Sequence, residues 1–140
     1  MPSYDPNNIF AKIIRGEIPA LKVFEDEHAI AFMDIMPWSK GHTLVIPKVA
    51  ARNLFDAPPA AVAALIERTQ RVAQAVQKAF NPDGLRLVQN NEHGAGQTVF
   101  HLHFHIVPCY DGVPLTIGDA QMADQTVLRE YAERIRKQLA

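Results

Sequence analysis

Three histidines alternate with apolar residues at His101, His103 and His105. Residues two apart in a β-strand point to the same face, so a strand over 100–107 would align three imidazoles about 6.5 Å apart. The intervening apolar side chains would occupy the opposite face and pack into the core. Core packing does not require such a row, so the pattern indicates a site where imidazoles act on a ligand.

Imidazole chemistry leaves three interpretations of this row open. A neutral imidazole is a nucleophile, and a pKa near ~6.5 leaves most of the population neutral at pH 7, so His103 could attack phosphorus without a separate base. Paired histidines can instead hold zinc together with a carboxylate or a cysteine. In the third interpretation the histidines are structural, with their polar atoms satisfied inside the fold.

The segment immediately before the row, residues 90–99, is crowded with hydrogen-bond donors and contains Gly94 and Gly96. Backbone amides, the Gln97 side-chain amide and the Thr98 hydroxyl could wrap an anion here. No Gly-Lys-Ser or Gly-Lys-Thr occurs, so the loop does not resemble a Walker P-loop. Its position beside the histidines favours a phosphate site over a plain connection between strands.

Hydrophobic periodicity predicts the elements that position these residues. Alternating or β-branched runs predict strands at 22–25, 29–34, 42–47, 85–90 and 100–107. A short helix capped by Asn7 or Asn8 runs to about Arg15, and a final helix starts near Asp124. The long amphipathic helix, 58–80, carries Ile66 among the apolar residues of its buried stripe.

These elements predict an α+β fold with an antiparallel sheet of about five strands. The long helix, the short N-terminal helix and the C-terminal helix pack around it. A chain of 140 residues fits one domain, 1–140, with a core of about 7–110 and a tail and helix over 111–140.

Composition excludes several classes of function. The 14 basic and 15 acidic residues are spread along the chain, so no basic surface is available to follow a nucleic acid. The lone cysteine, Cys109, fits a reducing compartment, and we expect a cytoplasmic protein. We expect no signal peptide, and the longest apolar stretch, 57–66, is shorter than the ~18 residues of a membrane span. A small ligand is the expected partner.

The run from His101 to Val107 resembles the signature of the histidine triad family: His, apolar, His, apolar, His, apolar, apolar. Further blocks resemble the Hint branch of this HIT family, and the resemblance spans roughly residues 7–110. These blocks are 9–19, 34–35, 41–48 and 96–99. The resemblance implies a HIT-like fold.

The resemblance also implies a role for each site residue. His103 corresponds to the nucleophile, His101 and His105 to residues that contact phosphate and orient the site, and His42 to a fourth histidine. We expect His105 or His101, together with Thr98, to help protonate a departing amine. Asp34 corresponds to the acid that holds the ribose hydroxyls. Two groups remain: the residues around the α-phosphate and leaving group are Asn90, Gly96, Gln97, Thr98 and Val99, and the purine clamp is Ile9, Phe10, Ile13, Phe32 and Ile35.

The implied activity is hydrolysis of purine nucleoside phosphoramidates or acyl-nucleotides through a nucleotidyl-histidine, with AMP or GMP as product and no cofactor. One alternative is a dinucleoside polyphosphate hydrolase of the Fhit type. The other is a nucleotide-binding regulatory protein whose catalysis is incidental. The resemblance further implies a homodimer.

The chain departs from relatives at three places. Some relatives hold a structural zinc with a Cys-x-x-Cys pair and a histidine where this chain has Asn8, Ala11 and Ala50, so we expect no metal. Met33 replaces a histidine found before the ribose acid in some Hint proteins. The chain also lacks the Trp-containing ending of animal Hint proteins, which leaves its leaving-group preference open.

Overall fold

The computed structural model describes residues 2–115 and 121–140. The strands are β1 (Lys22–Glu25), β2 (Ala29–Met33), β3 (Thr43–Pro47), β4 (Gly84–Val88) and β5 (Phe104–Cys109). The helices are α1 (Ile9–Ile14), α2 (Pro59–Phe80) and α3 (Gln125–Leu139), and a 3-10 turn covers His93–Ala95. The predicted α+β, HIT-like fold is confirmed. Part of the predicted tail, 116–120, lies outside the described residues.

The five strands form one antiparallel sheet in the order β1-β2-β3-β5-β4. The strands β1, β2 and β3 follow one another as hairpins, and α2 then carries the chain across to β4 at the far edge. β5 returns between β3 and β4. Leu44 in β3 lies opposite His105 in β5, so the middle of the sheet positions one of the three histidines.

Both faces of the sheet are covered, because every residue of β2 and β3 is buried. On one face, Ala31 and Val45 pack with side chains of α2 and α3, including Leu65 and Leu128. On the opposite face a second cluster joins the sheet to α1. Its buried members are Phe10, Ile13, Ile30, Phe32, Leu44 and Ile46. One face of the sheet therefore packs against α2 and α3, and the opposite face packs against α1.

Helix ends follow the predicted capping residues. The Asn8 side chain accepts a hydrogen bond from the Ala11 backbone and Asp124 accepts from the Thr126 backbone, which satisfies free amides of the first turns of α1 and α3. The end of α2 is marked by Asn81 in the left-handed conformation. Among the described residues, no helix combines the length and apolar character that a membrane crossing requires.

The predicted strand over 100–107 is wrong at its start. β5 begins at Phe104, and the backbone amide of Leu102 donates to the carbonyl of Ala51 instead of joining the strand ladder. His101 and His103 therefore lie in the approach to β5. The prediction for Ile66 is also wrong, since this side chain is 42% exposed and Ala75 is buried in α2 instead.

Candidate active site

A cavity of about 500 Å³ opens on the face of the sheet covered by α1. Most of the residues expected at the site line it. These are Ile9, Phe10, Ile13, Phe32, Asp34, Ile35, Asn90, Gly96, Thr98, Val99, His103 and His105. Three expected residues, His42, Gln97 and His101, do not line the cavity and lie behind its wall with at most 2% of their surface exposed.

The tautomer of His103 is set by a backbone carbonyl. Its Nδ1 lies 2.7 Å from the carbonyl oxygen of His101, which can only accept, so Nδ1 carries the proton. The remaining ring nitrogen, Nε2, therefore has a free lone pair. Burial lowers the pKa of His103, so the ring is neutral. Phe10 packs edge-on against the imidazole with ring centroids 5.0 Å apart and fixes its plane.

The tautomer of His105 is set by a different chain of donors. The backbone N–H of Trp38 donates to His42 Nδ1 at 2.9 Å, so the proton of the neutral His42 ring sits on Nε2. That N–H donates to His105 Nδ1 at 3.0 Å, which leaves the His105 proton on Nε2. Burial lowers the pKa of both His42 and His105 to about 3, so both rings are neutral.

Two neighbouring histidines consequently present opposite functions at one cavity. His103 offers an Nε2 lone pair, and His105 offers an Nε2–H donor. Their ring centroids are 4.9 Å apart. A phosphoryl group between them would meet a nucleophile and a hydrogen-bond donor for its developing charge, without a proton transfer beforehand.

Trp38 is a site residue that the sequence reasoning left unassigned. Its indole stacks on the His105 imidazole with centroids 4.4 Å apart and planes 17° apart, and it lines the cavity. The useful signal was its position in the short loop between Asp34 and His42, both of which were assigned to the site.

The loop that carries Trp38 is tightly anchored. The Ser39 hydroxyl donates to the carbonyl of Pro108 at 2.6 Å, and the Tyr110 hydroxyl donates to the carbonyl of Lys40 at 2.8 Å. Gly41 has φ +94°, and a Cβ there would lie 2.9 Å from the Phe80 ring. Only glycine fits this turn without displacing its neighbour.

Asp34 lies at the end of β2 with its carboxyl partly buried. Its Oδ1 accepts from the backbone N–H of Met36 at 2.8 Å, and Oδ2 lies 3.5 Å from His42 Nε2. Burial raises the pKa of Asp34 to about 6, against the smaller lowering by the Met36 amide. The carboxyl therefore titrates close to neutral pH.

Asp34, His42 and His105 offer potential metal ligands that lie within 4.8 Å of one another. The hydrogen bonds argue against their use as ligands, because His42 Nε2 carries a proton as long as Nδ1 accepts from the Trp38 amide. The positions that hold structural zinc in some relatives carry Asn8, Ala11 and Ala50, which supply neither thiolate nor imidazole. The residues present do not fit either type of metal site.

The loop of residues 90–99 is fixed from behind by Gln97. Its Oε1 accepts from the Glu92 backbone and the Asn53 side chain at 2.8 and 3.1 Å, and its Nε2 donates to the carbonyls of Arg52 and Val99 at 2.7 and 3.0 Å. The Gln97 amide therefore does not wrap an anion as expected from the composition of the loop. Gln97 instead holds the loop that lines the cavity.

Arg52 and Glu92 complete this support. The guanidinium donates through Nε and Nη2 to the two carboxylate oxygens at 2.8 and 2.9 Å, and it lies 4.1 Å from the centroid of the Phe100 ring. Glu92 has φ +75°, which is uncommon for a residue other than glycine. Neighbouring hydrogen bonds thus hold a strained backbone where the loop begins.

The opposite wall of the cavity is apolar. Phe10 and Phe32 meet edge to face with centroids 5.5 Å apart, and the buried Ile13 packs in the same cluster. Ile9 and Ile35 are 44% and 45% exposed and lie at the mouth. Among the described residues that line the cavity there is no lysine or arginine. Because the lining histidines are neutral, the charge of the cavity depends on Asp34.

The sheet, the α1 wall and the linked histidines define a protein of the histidine triad class. The family model described as "HIT domain" matches residues 15–112, and the chain belongs to this family.

Three relatives illustrate the match. The chain is 46% identical to "Protein hit" of Bacillus subtilis (strain 168) over 104 residues, which cover 74% of this chain and 72% of that protein. It is 43% identical to "Adenylylsulfatase HINT3" of Arabidopsis thaliana over 71% of this chain and 51% of the relative. The crystal structure of a Hit-like protein of Bartonella henselae, described as involved in cell-cycle regulation, has a TM-score of 0.92 and 50% identity. That match covers 98% of this chain and all of the other.

Proposed function

We propose that this chain is a nucleotide hydrolase that acts on purine nucleoside phosphoramidates or acyl-nucleotides through a nucleotidyl-His103 intermediate. The observation that carries the proposal is the pair of opposite tautomers, with the His103 Nε2 lone pair and the His105 Nε2–H at one cavity. A merely structural row of histidines would not need this difference.

In the proposed reaction, His103 Nε2 forms a bond to the α-phosphorus while the bond from phosphorus to the leaving nitrogen or oxygen breaks. A leaving amine takes up a proton from water. The hydroxide so formed attacks phosphorus, the P–Nε2 bond breaks, and a nucleoside monophosphate and free His103 remain. Where the leaving group is a carboxylate, water attacks instead and its proton passes to the solvent. The His105 Nε2–H and the Thr98 hydroxyl stabilise the charge on the phosphoryl oxygens. His101 makes no contact with the reacting group, because it is fully buried.

The remaining lining residues divide between nucleoside and phosphate. The apolar clamp of Ile9, Phe10, Ile13, Phe32 and Ile35 faces the purine, and Asp34 accepts from the ribose hydroxyls. Asn90, Gly96 and Val99 border the α-phosphate. Neither a metal nor another cofactor takes part in these steps, and excess chelator should leave turnover unchanged.

The charge of the cavity favours substrates with a single phosphoryl charge. No lysine or arginine lines the described wall, and the imidazoles are neutral, so little compensates the several charges of a dinucleoside polyphosphate. A phosphoramidate carries one negative charge and suits the donors present. Adenylyl sulfate carries one phosphoryl charge and one sulfate charge, and it belongs in the test because a relative bears the name adenylylsulfatase.

A substrate panel tests the proposal. Adenosine phosphoramidate, an aminoacyl-adenylate, adenylyl sulfate and diadenosine triphosphate are compared by chromatography of the AMP released. We expect the first two to have the highest kcat/KM. Preference for diadenosine triphosphate would favour the Fhit-type alternative. Tight AMP binding with negligible turnover of all four would favour a nucleotide-binding regulatory protein.

We also propose that two copies associate through the β4 edge of the sheet. Between α2 and β4 lies a groove of about 740 Å³ with a mixed polar and apolar lining, and its apolar residues include Ile66 and Leu87, which are 42% and 45% exposed. A strand at the edge of a sheet, with an exposed leucine on it and an exposed isoleucine on the neighbouring helix, is suited to pairing with a second copy. Light scattering should give twice the 15.6 kDa monomer mass, and Leu87→Lys should give the monomer mass.

Residues 1–140 form one domain in this proposal, since α3 packs on α2 and contributes Leu128 and Ile135 to the same core. The lone cysteine supports our placing of the enzyme in the cytoplasm.

A further inference from the structure

The N-terminal segment before α1 reaches the histidines through one side chain. The hydroxyl of Tyr4 lies 2.7 Å from Nδ1 of His101, which is 97 positions later in the chain. The two rings also meet edge to face, with centroids 5.7 Å apart. Neither the proposed chemistry nor the family signature requires a residue here.

The partners of His101 determine the direction of this hydrogen bond. His101 Nε2 lies 2.8 Å from the carbonyl oxygen of Pro47, which can only accept, so Nε2 carries the proton. Burial lowers the pKa of His101 to about 4, so the ring is neutral and Nδ1 has a lone pair. Tyr4 must therefore be the donor. Without it, a fully buried acceptor would have no partner.

His101 in turn orients His103. The carbonyl of His101 accepts from His103 Nδ1–H at 2.7 Å, which is the bond that leaves the lone pair on Nε2. A displacement of His101 would therefore move the acceptor that aims the nucleophile.

The segment that carries Tyr4 is held by residues at both ends of α1. The backbone of Asp5 accepts from the Asn8 side chain at 2.7 Å, and the backbone of Pro6 accepts from Arg15 at 2.8 Å. The segment that carries Tyr4 is therefore attached to the helix that forms the apolar wall of the cavity.

We propose that Tyr4 is a positioning residue, which holds His101 in the Nε2–H tautomer and thereby fixes the carbonyl that orients His103. Its effect on catalysis rests on the proposed function. Its effect on the imidazoles does not, so the two can be tested separately.

The test is Tyr4→Phe, which keeps the ring and removes the donor. We expect kcat on adenosine phosphoramidate to fall about tenfold with KM within twofold of the wild type. The reason is that the substrate contacts are unchanged and only the orientation of the His103 imidazole is disturbed. Nitrogen-15 spectra of the imidazoles should show His101 Nδ1 shifting away from a hydrogen-bonded value and His103 Nδ1–H shifting with it. Tyr131→Phe removes a hydroxyl from α3 and should change none of these quantities.

Unchanged His101 and His103 spectra in Tyr4→Phe would overturn the proposal, as would an unchanged kcat. A wild type inactive on every substrate would overturn the proposed function, while the spectra would still decide whether Tyr4 orients His103. If Tyr4→Phe fails to fold, 3-fluorotyrosine at the three tyrosines provides a stronger donor in the intact protein. The His101 Nδ1 resonance must then move further in the hydrogen-bonded direction, and an unmoved resonance would refute the assignment.

Discussion

The two walls of the cavity are built on different physical principles. The apolar wall, formed by α1 and β2, is held by side-chain packing, and its members are interchangeable to the extent that volume is kept. The wall formed by residues 90–99 is held by directional hydrogen bonds from Arg52, Asn53 and Gln97. The loss of a methylene in the first wall is a graded change, whereas the loss of one donor in the second leaves several partners unsatisfied.

The histidines lie between the two walls, and the largest expected effect is there. His103→Asn should lower kcat by at least about 10³-fold, since the proposed nucleophile is lost, while AMP binding stays within a few-fold of the wild type. Steady-state kinetics and calorimetry measure the two quantities. The control is His28→Asn, at an exposed histidine remote from the cavity, and it should change neither kcat nor AMP binding. Near-normal turnover by His103→Asn would remove the nucleophile assignment.

Next in size is a change in the hydrogen-bonded wall. Glu92→Gln should lower kcat/KM about 10- to 100-fold, because the Arg52 guanidinium loses its charged partner and the strained backbone at Glu92 loses its support. The matched control is Glu133→Gln, which breaks an exposed ion pair with Arg136 and should leave kcat/KM unchanged. Equal effects of both variants would mean that the loop does not depend on this pair.

The carboxyl of Asp34 predicts a pH dependence of substrate affinity. Since burial raises its pKa to about 6, the carboxylate that we propose accepts from ribose is present above that pH and is lost as pH falls through it. KM should therefore rise about tenfold between pH 7 and pH 5. Because burial lowers the pKa of His103, kcat should not begin to fall at the ordinary imidazole pKa near ~6.5. Asp34→Asn should have a raised KM that no longer depends on pH. A kcat that falls with an apparent pKa near ~6.5 would contradict the neutral state of His103.

The smallest effect is expected in the apolar wall. Ile13→Val removes one methylene from the clamp, which corresponds to about 0.8 kcal/mol or roughly a fourfold rise in KM, with kcat unchanged. Ile135→Val removes the same group from the opposite core and should lower the melting temperature without changing KM. A loss in kcat/KM for Ile13→Val as large as that for Glu92→Gln would abolish the distinction between the two walls.

Local patterns were sufficient to predict the elements, whereas the resemblance to the histidine triad family supplied most of the cavity residues. Strand alternation, helical spacing and the caps at Asn8 and Asp124 depend on neighbours within a few residues, so the sequence shows them directly. The start of β5 was not predictable in this way, because the amide of Leu102 is diverted to Ala51 by the tertiary fold.

The supports of the site depend on contacts distant in sequence. The Gln97 amide finds partners 44 and 45 residues away, and Tyr4 meets His101 across 97. The tautomer of His105 follows from a backbone amide at Trp38, which side-chain composition does not reveal. The sequence thus predicted which residues border the cavity better than it predicted which residues hold them.

The position of Trp38 has a practical consequence, because it is the sole tryptophan of the chain. Its indole rests on His105 and borders the cavity, so the tryptophan fluorescence of the protein originates at the proposed reaction centre. Arrival of a nucleotide, or a change in the charge of the stacked ring, would alter the emission of this single fluorophore. The protein thereby carries its own optical reporter of occupancy, and stopped-flow measurements can follow binding and product release without a label.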